Sequence, residues 1–382
     1  MYKTFDMIYR QLQSRIEDCV GTKKAIVLIG ARQVGKSTLL HQLLDGKDDV
    51  LWLNGDDIET IEMLRDATVA KIRTIIGSHK TVVIDEAQRI PDIGLKLKLI
   101  TDQIDNVQVF ASGSSSFELT SKINETLTGR KREFRLFPLS FAEMVKHTNY
   151  IEAHRMLPHR LIYGYYPEVV ADAGNEQIIL KELIDSYLFK DIFSLDGITK
   201  SSKVVSLLKA LALQIGNLVS YNEIGNLIGL DSKTVEKYID IMEKNFIVVR
   251  LASFSRNARN ELKSSKKIYF CDLGIRNALI NNLNPIENRS DVGELWENFA
   301  IVERLKQNEY NGEFVQSWFW RTQQQNEIDY VEDNGGNLSA FEFKWNSKKA
   351  NTKCPTAFQT NYPSASFKVV TPNNIEEFLT IE

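Results

Sequence analysis

Apolar residues recur in distinct rhythms along this chain. Over residues 1–20, Ile8, Leu12 and Ile16 share one helical stripe. From 22 to 140, short apolar runs alternate with helical segments: Ala25–Ile29, Val50–Leu53, Thr81–Ile84, Val107–Ala111 and Arg132–Leu136. That rhythm predicts a mainly parallel sheet covered by helices. Residues 141–200 keep helical spacing without strands and are interrupted at Gly164-Tyr165-Tyr166-Pro167. Beyond 201, one helix ends at Ile228, Gly229-Leu230-Asp231 makes a turn, and Ser232 to Glu243 forms a second helix with Val235, Tyr238, Ile239 and Met242 inward. Helix, glycine turn and helix is the helix-turn-helix layout. Phe246 to Ser253 then reads as a strand, and the whole arrangement suggests a winged helix. The last section opens with an amphipathic helix, Glu294 to Val302. An aromatic strand follows, Phe314 to Arg321, and then a hairpin whose turn is Asn334-Gly335-Gly336-Asn337.

Composition narrows the field only modestly. At 382 residues the chain should hold two or three domains. A net charge of -3 means that any contact with nucleic acid must use local patches. Cys19, Cys271 and Cys354 lie far apart, with no zinc spacing and a poor count for a disulfide framework, so a reducing, cytoplasmic setting is expected. No stretch is long and apolar enough for a membrane span, and the first residues lack a signal-peptide core.

The most informative stretch is Gly30-Ala31-Arg32-Gln33-Val34-Gly35-Lys36-Ser37, which fits G-x-x-x-x-G-K-[ST]. It follows an apolar run and leads through Thr38 into a helix, the context the motif requires. Glycines let main-chain N–H groups close around phosphate oxygens, and the helix N-terminus adds partial positive charge. Lys36 is expected at the β- and γ-phosphates and the Ser37 hydroxyl at Mg²⁺. Downstream, Thr81-Val82-Val83-Ile84 ends in Asp85-Glu86. Beside such a loop, Asp85 would hold Mg²⁺ through water and Glu86 would polarise the attacking water. Both Gly30 and Asp85 fall at carboxyl ends of strands, where ligands of such sheets sit.

A second constellation lies on the hairpin. Asp329 precedes Glu342-Phe343-Lys344, and residues two apart on a strand project from one face. Two acids binding a divalent metal, with a lysine that positions or activates water, make one kind of nuclease site. Glu297, on the preceding helix, is an additional candidate ligand. A half-buried sheet with Phe341 and Phe343 inward and polar residues outward explains Glu342 and Lys344 without any chemistry.

Taken together, these residues resemble the prokaryotic AAA+ superfamily, in the branch with a C-terminal domain of unassigned function. The matching pieces are Gly30–Ser37, Ile84-Asp85-Glu86-Ala87-Gln88, Gly113-Ser114-Ser115, Leu127-Thr128-Gly129-Arg130 and Pro138-Leu139-Ser140-Phe141-Ala142-Glu143. Further ones are Gly164 to Glu168, Tyr187 to Asp191, Lys267 to Gly274, and the pair Glu327-Ile328-Asp329 and Glu342-Phe343-Lys344. The resemblance implies an α/β fold: a P-loop core over 1–140, a helical lid over 141–200, a winged helix over 201–285 and a small restriction-endonuclease-like α/β domain over 286–382. It also implies Ser114 as the sensor of the γ-phosphate, with Ser112 the alternative. Arg130 would be a finger reaching a neighbouring subunit's nucleotide, or else a charge complementing a helix C-terminus. Related ATPases carry an arginine just after the lid's proline; here Glu168 follows Pro167.

The expectation for function is therefore an ATP- and Mg²⁺-dependent ATPase, in the form of a switch acting on DNA. Lys233, Lys237, Arg256, Arg259, Lys263, Lys266 and Lys267 are the candidate contacts to duplex phosphates. A solvated helix face is the other reading of the lysines, given Glu223, Glu236 and Glu243 nearby. The alternative function is a signalling or protein-remodelling switch whose winged helix docks protein and whose nuclease-like tail is inactive.

Overall fold

The computed structural model describes residues 7–113, 127–188, 201–254 and 265–381. The chain forms two compact units. One holds Tyr9–Pro138 with Lys244–Phe246; the other holds Leu139–Glu243 and Ile247–Glu382 with the chain up to Ile8.

The first unit is built on five strands: β1 (Ala25–Ile29), β2 (Val50–Asn54), β3 (Thr81–Asp85), β4 (Gln108–Gly113) and β5 (Lys131–Arg135). Their order is β2-β3-β4-β1-β5, and every pairing is parallel. All of β1 is buried, as a central parallel strand with both faces covered must be. The register pairs Asn54 with Asp85, Ile84 with Ala111 and Ile29 with Gly113. One edge of the sheet therefore collects the carboxyl ends of β1 to β4. The expected N-terminal helix is shorter than its stripe. It spans Leu12–Glu17, with Leu12 and Ile16 buried, and Ile8 precedes it and packs in the other unit's core.

The second unit begins with helices only. Phe141–His147 opens on a capping box in which the Ser140 side chain accepts from Glu143 N–H and the Glu143 carboxylate accepts from Ser140 N–H. Tyr150–Arg155, Leu157–Tyr163, Pro167–Ala171 and Glu176–Glu182 follow. Then come helices Ser201–Leu213, Tyr221–Ile228 and Ser232–Lys244, interleaved with β6 (Leu218–Val219), β7 (Val248–Ser253) and β8 (Lys266–Phe270). After the 20-residue helix Val292–Asn311 come β9 (Gln316–Arg321), β10 (Glu327–Asn334), β11 (Asn337–Phe343) and β12 (Ser366–Val370). The hairpin turn is as expected: Gly335 and Gly336 both take positive φ, which a two-residue turn requires.

These strands form one mixed sheet, β12-β11-β10-β9-β7-β8-β6. The joint is a short parallel pairing, Ala252 with Trp318 and Ser253 with Phe319. The segments 201–285 and 286–382 therefore share a sheet, which local sequence does not reveal. Helix Val292–Asn311 buries Leu295, Trp296, Phe299 and Ala300 in the cluster that also takes Tyr330, Phe341 and Phe343. Asn298 fastens it to β8: its amide accepts from Phe270 N–H (2.7 Å) and donates to Phe270 C=O (2.9 Å).

Candidate ATP site and a buried carboxylate–lysine cluster

At the carboxyl edge of β1 the chain must turn sharply and leave its amides open. Gly30 has no room for a side chain: a Cβ there would stand 2.2 Å from the Leu136 carbonyl oxygen. Gln33 and Gly35 take left-handed backbone, with φ +60 and +92. Gly35 is the cap of helix Lys36–Leu44. The turn thus opens onto the start of a helix, whose first N–H groups have no partner within the helix itself, and this is an anion cradle. Lys36 is buried, and its ammonium donates to Gly30 C=O (3.0 Å) and Ala31 C=O (2.8 Å), inside the loop.

Asp85 gathers the rest. Ser37 Oγ donates to its Oδ2 at 2.6 Å, and Ser112 Oγ donates to its Oδ1. Ser112 is fully buried at the end of β4 and is the sensor alternative; Ser114 lies outside the described residues. Glu86 is in left-handed backbone, φ +48, and Gln88 Nε2 donates to its Oε2 at 2.6 Å. A Cβ on Gly55 would meet the Glu86 carbonyl oxygen at 2.3 Å, so β2 also closes on this turn. The residues fit a triphosphate with a divalent ion. Ser37 and Asp85 form an oxygen donor pair, the loop offers amides, and the space beside them tolerates only glycine at Gly30.

Two further residues complete the picture. Arg10 is buried and donates to Val34 C=O and Phe137 C=O, both at 2.6 Å, tying the N-terminal segment to the loop. Nothing in its sequence neighbourhood marks it. Arg130 stands at the opposite edge of the sheet, since its carbonyl accepts from Ala25 N–H at the start of β1. It is a strand's length, about 16 Å, from its own loop. Asp102 holds its guanidinium at 2.7 and 2.9 Å.

On the hairpin the sheet is not regular. Ile328 pairs with Trp320 but Val331 with Trp318, a bulge that spans Asp329 and Tyr330. Ile328 and Val331 therefore share one apolar cluster while Tyr330 enters the other. Asp329 Oδ2 accepts from Phe343 N–H at 2.8 Å and lies 4.0 Å from Lys344 Nζ, which pairs with Glu342 at 2.7 Å. Asp329, Glu342 and Lys344 thus converge.

Glu297, on helix Val292–Asn311, stands near enough for its charge to act on Asp329 and Lys344. It accepts from Tyr269 OH (2.6 Å) and Lys267 Nζ (3.0 Å). Among the described residues no group of three or more His, Cys, Asp or Glu is placed to hold a metal ion.

Lys267 requires a correction. Its place in the basic run suggests a contact to duplex phosphates, yet it is 2% exposed and also pairs with Glu327 at 2.6 Å. The reason is strand periodicity: Lys267 and Tyr269 share a face of β8, and that face lies under helix Val292–Asn311. Burial and then the Asp329 charge push Glu297 up to about 7, with Lys267 and Tyr269 opposing. Burial likewise raises Asp329 and Glu342. Lys266 sits 3.9 Å from Glu236 and over the Tyr221 ring, while Lys233 and Lys237 are exposed. Arg256, Arg259 and Lys263 lie outside the described residues.

The remaining family-like motifs pack on one another. Asp272 accepts from Tyr165 N–H (2.7 Å) and caps helix Leu273–Leu279. A Cβ on Gly164 would strike the Asp272 carboxylate, and one on Gly274 would strike Tyr163 C=O at 2.1 Å. These glycines serve close packing. Glu168 is exposed in the first turn of helix Pro167–Ala171, where a carboxylate suits the helix's positive end.

A five-stranded parallel sheet with this loop, Asp85 and Ser112 at one edge defines a P-loop nucleotide-binding domain. Residues 22–145 match the family described as AAA domain. Residues 154–285 and 292–379 match two domains of unknown function, DUF8612 and DUF4143. An uncharacterized protein of Haemophilus influenzae is 27% identical over 290 residues, covering 69% of this chain and 72% of its own. One from Mycobacterium tuberculosis is 24% identical over 367 residues, covering 95% and 80%. Among solved structures, the Walker-type ATPase of Pyrococcus abyssi aligns with a TM-score of 0.51 at 15% identity, covering 72% of this chain and 96% of that one. Among the described residues no helix is long and apolar enough to cross a membrane.

Proposed function

We propose that this protein binds ATP with Mg²⁺, hydrolyses it to ADP and phosphate, and uses the cycle as a switch acting on DNA. The observation that carries the ATPase reading is the Asp85 carboxylate bound by Ser37 on one side and Ser112 on the other, beside a glycine-cradled loop. Lys36 would leave the Gly30 and Ala31 carbonyls for the phosphate oxygens, and Ser37 with Asp85 would hold the ion. Magnesium bound with the nucleotide supplies polarisation and charge neutralisation. Glu86 takes the water's proton, with Gln88 fixing the orientation of its carboxylate. Arg130, remote from its own loop, reaches only another copy's nucleotide, so a finger role requires a homo-oligomer and release from Asp102. Calorimetry with ATP and Mg²⁺ tests the first step; absence of any binding heat refutes the reading.

The DNA reading rests on helix Ser232–Lys244, which follows helix Tyr221–Ile228 across a glycine turn, beside the β7-β8-β6 end of the mixed sheet. That order of elements fits a winged helix, with Lys233 and Lys237 outward. Such binding weakens steeply with salt; the same weak retention at every salt concentration removes it. A protein-docking role is the second reading, favoured by Leu213 and Leu227, 68% and 72% exposed on the same module. The alternative arms are separated by measuring retention on immobilised duplex and on partner-rich lysate with and without ATP.

For the tail we favour a structural role. Lys267 and Lys344 supply positive charge among Glu297, Glu327, Asp329 and Glu342, and ion pairs of this kind can hold a sheet and its covering helix together. Plasmid cleavage with Mg²⁺ or Mn²⁺ that is lost in Lys344→Ala establishes instead a nuclease centred on Asp329 and Glu342.

A further inference from the structure

Helices Phe141–His147, Tyr150–Arg155, Leu157–Tyr163 and Pro167–Ala171 contribute the wall of a cavity of about 350 Å³. Met144, Ala153, Met156 and Val170 make much of that wall apolar. One cation is set into it. Arg160 lines the cavity, is only 8% exposed, and its Nη1 has no hydrogen-bond partner among the described residues. No carboxylate of the described residues forms an ion pair with it. The acids nearest in charge are engaged elsewhere. Glu176 accepts from Gly174 N–H (2.9 Å) and pairs with His159 (3.1 Å), and Asp272 accepts from Tyr165 and Ile275 N–H. Burial consequently pulls the guanidinium below its ordinary value, with Tyr165, Glu176 and Asp272 opposing.

A buried guanidinium left with an unpaired N–H is costly, and its planar fork matches an oxyanion. The wall around it demands an apolar body. Glu152 also lines the cavity, held by Arg155 at 2.7 Å, and its charge disfavours a dianion such as phosphate. We propose that this cavity binds a small organic monocarboxylate, the carboxylate on Arg160 and the hydrocarbon against Met144, Ala153, Met156 and Val170. The site lies in a different unit from the ATP loop and does not depend on it.

Calorimetry on the full chain with sodium hexanoate, 1-hexanol and inorganic phosphate tests this. Hexanoate is expected to bind at least about tenfold more tightly than hexanol, the worth of a charge-assisted pair. Phosphate is expected not to compete. Arg160→Met should abolish the preference and raise the melting temperature of the unliganded protein. Ala171→Trp, which adds bulk at the cavity lining and leaves Arg160 in the sequence, should also lose hexanoate. Four results each overturn the proposal: no heat with hexanoate, equal affinity for hexanol, phosphate binding as tight as hexanoate, or hexanoate affinity unchanged in either variant. Should Arg160→Met not fold, the wild-type comparison and Ala171→Trp still decide.

Discussion

Arg10 offers the sharpest test of how the ATP loop is held. Its guanidinium is buried and donates to two main-chain carbonyls, Val34 inside the loop and Phe137 just after β5, each at 2.6 Å. Arg10→Met keeps the length of the stem and removes both donors. Val34 is fully buried and Phe137 nearly so, so neither carbonyl gains full access to water. Leaving a buried acceptor unsatisfied costs about 1–3 kcal/mol. Two acceptors then predict a loss of roughly 2–6 kcal/mol in unfolding free energy. Arg10→Lys, with a single point of donation, should recover about half. Urea unfolding of the three proteins measures the stability, and nucleotide titration measures the loop. ATP affinity should fall in the same order, because Val34 belongs to the cradle. If Arg10→Met unfolds within about 0.5 kcal/mol of the parent and binds ATP equally well, the strap is not what positions the loop.

Three other outcomes follow from the geometry. Gly30→Ala drives a methyl into the Leu136 carbonyl and should abolish nucleotide binding while circular dichroism still reports a folded chain. Glu86→Gln should keep ATP affinity and stop turnover in a phosphate-release assay; turnover at the parental rate assigns water activation to another group. Glu297 titrates at about 7 in the folded protein against an ordinary value of 4.5, so the folded state binds more protons between those values. Stability must then fall as pH rises through that window, by at most roughly 3 kcal/mol. Glu297→Gln should flatten the melting temperature between pH 5 and 8, and an unchanged slope refutes the assignment.

Much of the ATP unit was legible in the chain itself. Its strands are local apolar runs, the loop motif specifies glycine where backbone must approach backbone, and Asp85 follows directly from the end of a strand. These features depend on contacts within a few residues or on the chemistry of one ligand. The hairpin turn and the two helices Tyr221–Ile228 and Ser232–Lys244 were readable for the same reason.

Long-range pairing was not. Lys267 looks like part of a basic surface run, but the face of β8 that it occupies is covered by a helix about 30 residues later, so it became the buried partner of Glu297 and Glu327 with the Asp329 charge close by. Asp329 reaches Lys344 and the Phe343 amide because a bulge overrides the strict alternation that a strand's sequence implies. Arg10, Ser112 and the unpaired Arg160 owe their roles to neighbours remote in the chain. Sequence by itself determined the local conformations and the phosphate cradle, since those are set by side-chain size, backbone freedom and short-range periodicity. Tertiary structure alone decided which charges are buried and with whom, because the cost of burying a charge is set by whatever the fold packs around it.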